Sequence, residues 1–326
     1  MASLPPSGGE AAARRVDQGA RGGAAPLHPL CRGFAAGRKP GALPRGGHAK
    51  RRSQCALLAA SASRGTRGRF GPATALLIGC GTMESFTPYA PLNVPKPFGE
   101  AIWTVDGPEI RMDYAFGSIP FPTRMTVVRL ADGGLWLHSP IEPDDALFAA
   151  VDLLGPVTWL VAPNSIHYWY VADWQQRYPR ARTAAVPRLA ERAKRPFRVD
   201  AVLEGGAPWP REEIALVLVP GTAVNEAVFF HTASRTVILA DLIENFEPAR
   251  VRHRLYRWLI RLSGAAAPHG RAPIDLRVTF WPKRRAVRAA VASILAWPCE
   301  RIIMAHGLPH ASNGASELRR ALNWAR

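Results

Sequence analysis

The sequence predicts an α/β domain made of two mixed sheets flanked by helices, preceded by a long segment with nothing to fold around. Three observations lead there. Short strand-like runs crowd together after residue 100 and then alternate with helix-spaced runs. Residues 1–82 hold 11 Arg and 2 Lys against Glu10 and Asp17 alone, with no apolar periodicity to bury. His and Asp residues stand at the ends of three strand-like runs, where sheet proteins collect their sites.

Composition changes abruptly at Met83, so residues 1–82 are expected to be a disordered extension and 83–326 the folded domain. An Arg-rich, acid-poor leader also fits an organellar transit peptide. Equally, it fits upstream DNA translated from too early a start, which would make Met83 the biological first residue. The apolar run at 75–80 is too short and too far in for a secretory signal, and no run reaches the roughly 20 residues of a membrane span. Three of the four cysteines (Cys31, Cys55, Cys80) precede Met83. Cys299 alone therefore builds neither a disulfide framework nor a cysteine zinc site, and a reducing cytoplasm is expected, or an organelle if the leader is a transit peptide. Of the net charge of +17, residues 1–82 hold 13 cations against 2 acids (+11) and residues 83–326 hold 29 against 23 (+6). The charge thus sits mostly in a leader without an RNA-binding signature, which argues against a nucleic-acid partner.

Strands are expected at 102–105, 110–114 and 124–129, then a hairpin turn at Asp132-Gly133-Gly134 and a strand at 135–138, together a meander. Helical spacing over 143–154 puts Ala146, Leu147, Ala150 and Leu153 on one face, and Gly155-Pro156 ends it before a strand at 157–161. A helix at 173–178, a strand at 181–186 and a helix at 187–194 continue the alternation. Strands follow at 215–219, 227–231 and 236–240, the last two joined by a turn at 232–235. Helices are expected at 251–262 and 285–297, and a last strand at 301–304. The 251–262 helix carries an apolar stripe, Leu255, Trp258, Leu259 and Leu262, beside Arg252, Arg254, Arg257 and Arg261. Core packing of that stripe is the expectation, with membrane-surface contact as the alternative.

The strand ends bring forward Asn164 with His167, Asp241, and His306, and His and Asp are ligand types that zinc, iron and manganese accept. Each has a plain structural alternative: His167 as a packing residue among Tyr168, Trp169 and Tyr170, Asp241 as a loop cap, His306 as a turn residue before Gly307. His138 closes a strand and can face the same pocket, while Glu244 and His310 can orient a ligand from behind. Neither a Gly-x-Ser-x-Gly elbow nor a Gly-x-x-x-x-Gly-Lys loop occurs, which disfavours those two reaction classes.

Here a family resemblance becomes specific. Val219-Pro220-Gly221-Thr222, followed by Glu226 to His231 and Thr236 to Leu242, resembles the metallo-β-lactamase superfamily from its Pro-Gly-His-Thr loop to its bridging aspartate. Ile302 to Gly307 resembles that superfamily's closing Gly-His-Gly loop, and residues 100–325 are similar to a domain-of-unknown-function family of the same fold. The resemblance implies an αββα sandwich. It also locates departures: the first metal motif, His-x-His-x-Asp-His, falls on Pro163, Ser165, His167 and Tyr168, and Thr222 replaces the next histidine. What remains is His167, Asp241 and His306, with His138, Asn164, Tyr168, Thr222, Glu244 and His310 as pocket or supporting residues. Such a set is too small for two ions and sufficient for one zinc, iron or manganese. Two readings follow: a mononuclear metal-dependent hydrolase of an ester, thioester or phosphoester, or a non-catalytic binding protein that kept the fold and holds no metal. Either takes a small-molecule substrate or ligand, and nothing in the sequence selects an oligomeric state.

Overall fold

The computed structural model describes residues 86–114 and 117–326. The expected extension, Met83 and the three early cysteines lie outside the described residues. The first sheet begins with β1 (Pro95–Gly99), β2 (Ile102–Tyr114), β3 (Gly117–Arg129) and β4 (Leu135–His138), all antiparallel neighbours. Then α1 (Asp145–Asp152), β5 (Val157–Ala162), α2 (Val171–Arg177), β6 (Arg182–Ala185), α3 (Leu189–Arg192) and β7 (Ala201–Val202) add a parallel half. The sheet runs β1 to β7 in sequence order.

The second sheet is ordered β11-β10-β9-β8, from β8 (Ile214–Val219), β9 (Glu226–His231), β10 (Thr236–Ile238) and β11 (Arg301–Ile303). Its β10–β11 pair is parallel and the others antiparallel, so both sheets are mixed. Between β10 and β11 come α4 (Arg254–Ser263), α5 (Ile274–Phe280) and α6 (Arg284–Leu295), and α7 (Gly314–Ala321) follows β11.

Side-chain alternation along β9 separates the layers. Phe229 faces the first sheet and meets Trp136 of β4 edge-on at 5.0 Å, whereas Val228 and Phe230 join a separate core with Val287, Val291 and Ile294 of α6 and Leu318 of α7. On the far side of the first sheet, Leu147 and Val151 of α1 and Val171 and Trp174 of α2 close the packing, with the Trp174 indole donating to Ile141 O at 2.8 Å. The order of layers is helix, sheet, sheet, helix, the expected fold class. Each large apolar side chain buried in these layers contributes about 1.5–3 kcal/mol.

The differences from the expected elements have local causes. The two short strands at 102–105 and 110–114 are one strand with a bulge between Gly107 and Ile110, where Pro108 gives up a ladder hydrogen bond. The third strand begins at Gly117 rather than 124. α1 starts at Asp145 because the Asp144 carboxylate accepts from Leu147 N at 2.7 Å and caps it, and Asn93, then this bond, lowers the Asp144 pKa. The helix at 187–194 shrinks to Leu189–Arg192, while β1, β7, α5 and α7 are additional. The largest correction concerns α4: Tyr256 and Ile260 are buried, and the stripe of Leu255, Trp258, Leu259 and Leu262 faces outward.

Candidate metal centre

Three loops meet at one edge of the sandwich. The first leaves β5 and is folded by Asn164, whose Oδ1 accepts from the backbone N–H of Ile166 and of His167, each at 2.8 Å. That Asx turn fixes where the His167 ring starts, and the Asn164 Nδ2 donates to Asp241 Oδ2 at 2.7 Å, tying the first loop to the second.

The second loop leaves β10 and carries Asp241. Its backbone N–H groups would be orphaned in the interior. Glu226, the fully buried first residue of β9, accepts from Ala240, Asp241 and Leu242 N at 2.9, 3.1 and 3.1 Å. Burial pushes the Glu226 pKa up, and the Asp241 charge adds to it.

The third loop leaves β11 with His306. Its Nδ1 lies 2.7 Å from Pro122 O, and because a carbonyl only accepts, Nδ1 carries the proton and Nε2 points inward. Arg124, also on β3, donates through Nη1 to Met304 O at 2.9 Å and to Gly307 O at 2.6 Å, gripping the loop on both sides of the histidine. Gly307 has φ +93° and lies so close to Asn245 that an added Cβ would fall 2.1 Å from Asn245 O. Gly307→Ala combines the left-handed penalty of about 1–2 kcal/mol with that clash, so its Tm is expected to drop by at least about 4 °C in thermal unfolding. A wild-type Tm in this variant would show that the loop yields freely.

The result is a compact donor set. His167 Nε2 lies 3.0 Å and His306 Nε2 3.2 Å from the same atom, Asp241 Oδ1, and one ligand atom from each residue lies within 4.8 Å of the others. All three residues are buried. Burial alone would raise the Asp241 pKa, but the charges and hydrogen bonds of His167 and His306 outweigh it and hold it well below the carboxylate range. Burial alone would lower the His167 pKa, yet the Asp241 charge and hydrogen bond raise it.

Ser139 Oγ sits 2.7 Å from His167 Nδ1, presented by a residue with φ +55° at the end of β4. Neither Ser139, Glu226 nor Arg124 was singled out from the sequence. A signal existed only for Glu226, a carboxylate heading the apolar run Ala227 to Phe230. His138 is buried beside Trp136 and Phe229, and burial, then the neighbouring His167, pushes its pKa down to about 3. It stands neutral and buried near His167, outside the cavity lining.

A cavity of about 660 Å³ opens onto Asp241, Glu244 and His306 and is otherwise lined mainly by apolar groups, among them Phe121, Phe246, Tyr256 and Ile260. Burial raises the Glu244 pKa well above the carboxylate range, with Asp241 and Asp275 adding to it, so its protonated form is favoured. The remaining expected pocket residues lie elsewhere. Tyr168 is buried on Phe197 with its hydroxyl accepting from Lys194 N, away from the cavity lining. Thr222 is exposed and donates to Thr279 O at the end of α5. His310 pairs through its backbone with Ile302, also outside the cavity lining.

The donor set fits one ion. Two ligands of a tetrahedral ion at about 2.1 Å stand roughly 3.4 Å apart, close to the 3.0 and 3.2 Å separations here. The orientation of His306 by a carbonyl and of Asp241 by an amide is the outer support that metal ligands use. The geometry defines a two-sheet α/β protein with a buried His–Asp–His cluster that could hold a metal.

Residues 100–189 match the family model described as "Domain of unknown function (DUF4336)". No curated protein matches the chain. Among solved structures, it is similar to a metallo-β-lactamase from Hirschia baltica at 13% identity and TM-score 0.48, covering 71% of this chain and 97% of that one. A metallo-β-lactamase from Pontibacter korlensis is similar at 13% identity and TM-score 0.46, with the same coverage. One from Pseudomonas aeruginosa, in its mono-zinc form, is similar at 15% identity and TM-score 0.45, covering 71% of this chain and 94% of that one.

Proposed function

We propose that this protein is a hydrolase of an ester, thioester or phosphoester, working with a single metal ion held by His167, Asp241 and His306. The observation that carries the reading is the convergence of two imidazole nitrogens on one carboxylate oxygen beside an apolar cavity. When bound, such an ion supplies a water of lowered pKa and polarises the substrate oxygen. The chain's own part is positional. Pro122 O and the Asn164 amide fix His306 and Asp241, and Ser139 fixes the far nitrogen of His167. Phe121, Phe246 and Tyr256 line the space where substrate would lie and give it apolar walls, and the Glu244 carboxyl, its pKa raised by burial, stands at the cavity wall.

One observation favours the metal-free binding reading: the three side chains already satisfy one another by hydrogen bonds. Elemental analysis of the full chain, purified without chelator, separates the two. About one zinc, iron or manganese per chain is expected from a three-ligand site. A folded protein with no metal that takes up none on titration returns the site to a hydrogen-bonded triad.

The pH dependence has opposite signs with and without metal. The raised folded pKa of His167 means that its pair with Asp241 stabilises the metal-free chain fully below the ordinary imidazole value of about 6.5, and that this is lost as pH climbs through the folded value. The raised pKa of Glu226 acts in the same direction. Tm with chelator is therefore expected to fall from pH 6 to pH 8, while Tm with zinc rises, because the ion takes the nitrogen the proton leaves. Parallel Tm curves in a chelator-versus-zinc series would count against the metal site.

A further inference from the structure

The outward stripe of α4 is part of a larger face. Leu255, Trp258 and Leu262 are 58%, 55% and 59% exposed, and Ile274, Val278 and Trp281 are 59%, 66% and 69% exposed. Leu259, Leu262 and Ile274 share the rim of the cavity that reaches Asp241 and His306, and Ile274, Val278 and Trp281 line an adjoining groove. The two helices thus present an apolar band at the cavity mouth, and exposed groupings of this kind rimmed by polar residues mark contact sites.

Charge says what covers it. Residues 252–288 contain ten Lys and Arg against one acid, Asp275, a net +9, whereas all of 83–326 nets +6. The basic character of the domain is therefore concentrated here, with exposed Arg254, Arg261, Lys283, Arg284 and Arg285 around the band. A second copy meeting this face about a two-fold axis would set these cations against each other, and the leader at +11 is repelled likewise. Five of the seven band residues (Leu255, Leu259, Leu262, Ile274 and Val278) are aliphatic and give a nucleic acid no ring to stack on. Leucines and tryptophans bordered by arginines on a short helix are the chemistry of a helix lying in an anionic lipid interface. Among the described residues no helix is long and apolar enough to cross a membrane, so contact would be with the surface.

We propose that the α4–α5 face docks on an anionic lipid surface, which puts the apolar cavity mouth against the bilayer so that a substrate bearing an acyl chain enters from the lipid. The docking stands apart from the hydrolase reading; only the fate of the entering lipid rests on it.

The test is flotation of the full chain with vesicles of phosphatidylcholine alone and of phosphatidylcholine doped with phosphatidylglycerol. Binding is expected to the anionic vesicles, weakening with salt. Leu255→Glu/Trp258→Glu and Arg284→Glu/Arg285→Glu, each on exposed positions and each checked for an unchanged Tm, should lower it by at least about tenfold. All variants keep the leader, so vesicle binding that both double variants retain places the contact in the leader and overturns the proposal. Absence of binding by the wild type overturns it too. So does concentration-dependent self-association that Leu255→Glu/Trp258→Glu abolishes, which gives the face to a second copy. Asp241→Asn is expected to float as the wild type does, so failure of the metal reading leaves this result standing.

Discussion

Asp241→Asn is expected to take the chain from about one bound ion to none while leaving it folded. The fold half of that expectation follows from the hydrogen bonds. An asparagine can keep its oxygen toward the Asn164 Nδ2, 2.7 Å away in the native site, and turn its amide toward His167 and His306. Breaking a buried ion pair usually costs about 3–5 kcal/mol because a charge is stranded, but here His167 can release its proton and avoid that state. The metal half follows from electrostatics: Asp241 is the one anion among the three donors, and both imidazoles aim at its Oδ1. Its loss should exceed the roughly 10–100-fold that removal of a mere orienting partner costs. Plasma mass spectrometry beside circular dichroism reads both halves. A folded Asp241→Asn protein that keeps its metal would falsify the proposed ligand set.

The sequence made the three strand ends visible because a strand that should stop and instead continues into Asn, His or Asp departs from its own pattern. Spatial convergence of those ends needed the sheets in place, since His167 and His306 belong to loops of different sheets. Other features had no local signature. Ser139 is an ordinary residue before Pro140, and only its φ of +55° turns its hydroxyl to His167. Arg124 reads as a strand arginine, normally a surface residue, and gains meaning from carbonyls about 180 positions away. For α4, periodicity marks an apolar stripe without telling its direction. Tyr256 and Ile260 form a second apolar pair, four apart, and the core takes that pair because it is the side that closes on Phe246 and Ala265. The stripe of Leu255, Trp258, Leu259 and Leu262 is left facing outward. Tyr168 shows a similar limit: the resemblance puts it at a motif position beside His167, but the turn after His167 sends its ring back onto Phe197, away from the cavity.

Arg124→Met is expected to lower stability by about 3–5 kcal/mol, the usual cost of breaking a buried charge pair from one side, and Tm by about 10 °C. The Arg124 and Asp106 side chains are 3% and 7% exposed, with Nη2 2.6 Å from Oδ1. Removing the guanidinium leaves the Asp106 carboxylate buried with Lys96 at 2.9 Å as its remaining cationic partner, and leaves the carbonyls of Met304 and Gly307 without their donor. Those carbonyls flank His306, so the same substitution should also loosen the metal site by roughly 10–100-fold, since the arginine bonds to the loop backbone on either side of the ligand. Arg124→Lys should recover little, because an ammonium cannot span a carboxylate and two carbonyls as a planar fork does. The double variant Arg124→Met/Asp106→Leu separates the two effects: with no carboxylate stranded in the interior and the Lys96 ammonium partly exposed to water, much of the Tm should return, while the loop still lacks its clasp. Metal affinity that stays weak as Tm recovers identifies Arg124 as the residue that positions His306. Affinity that recovers with Tm would mean that Arg124 serves the fold alone.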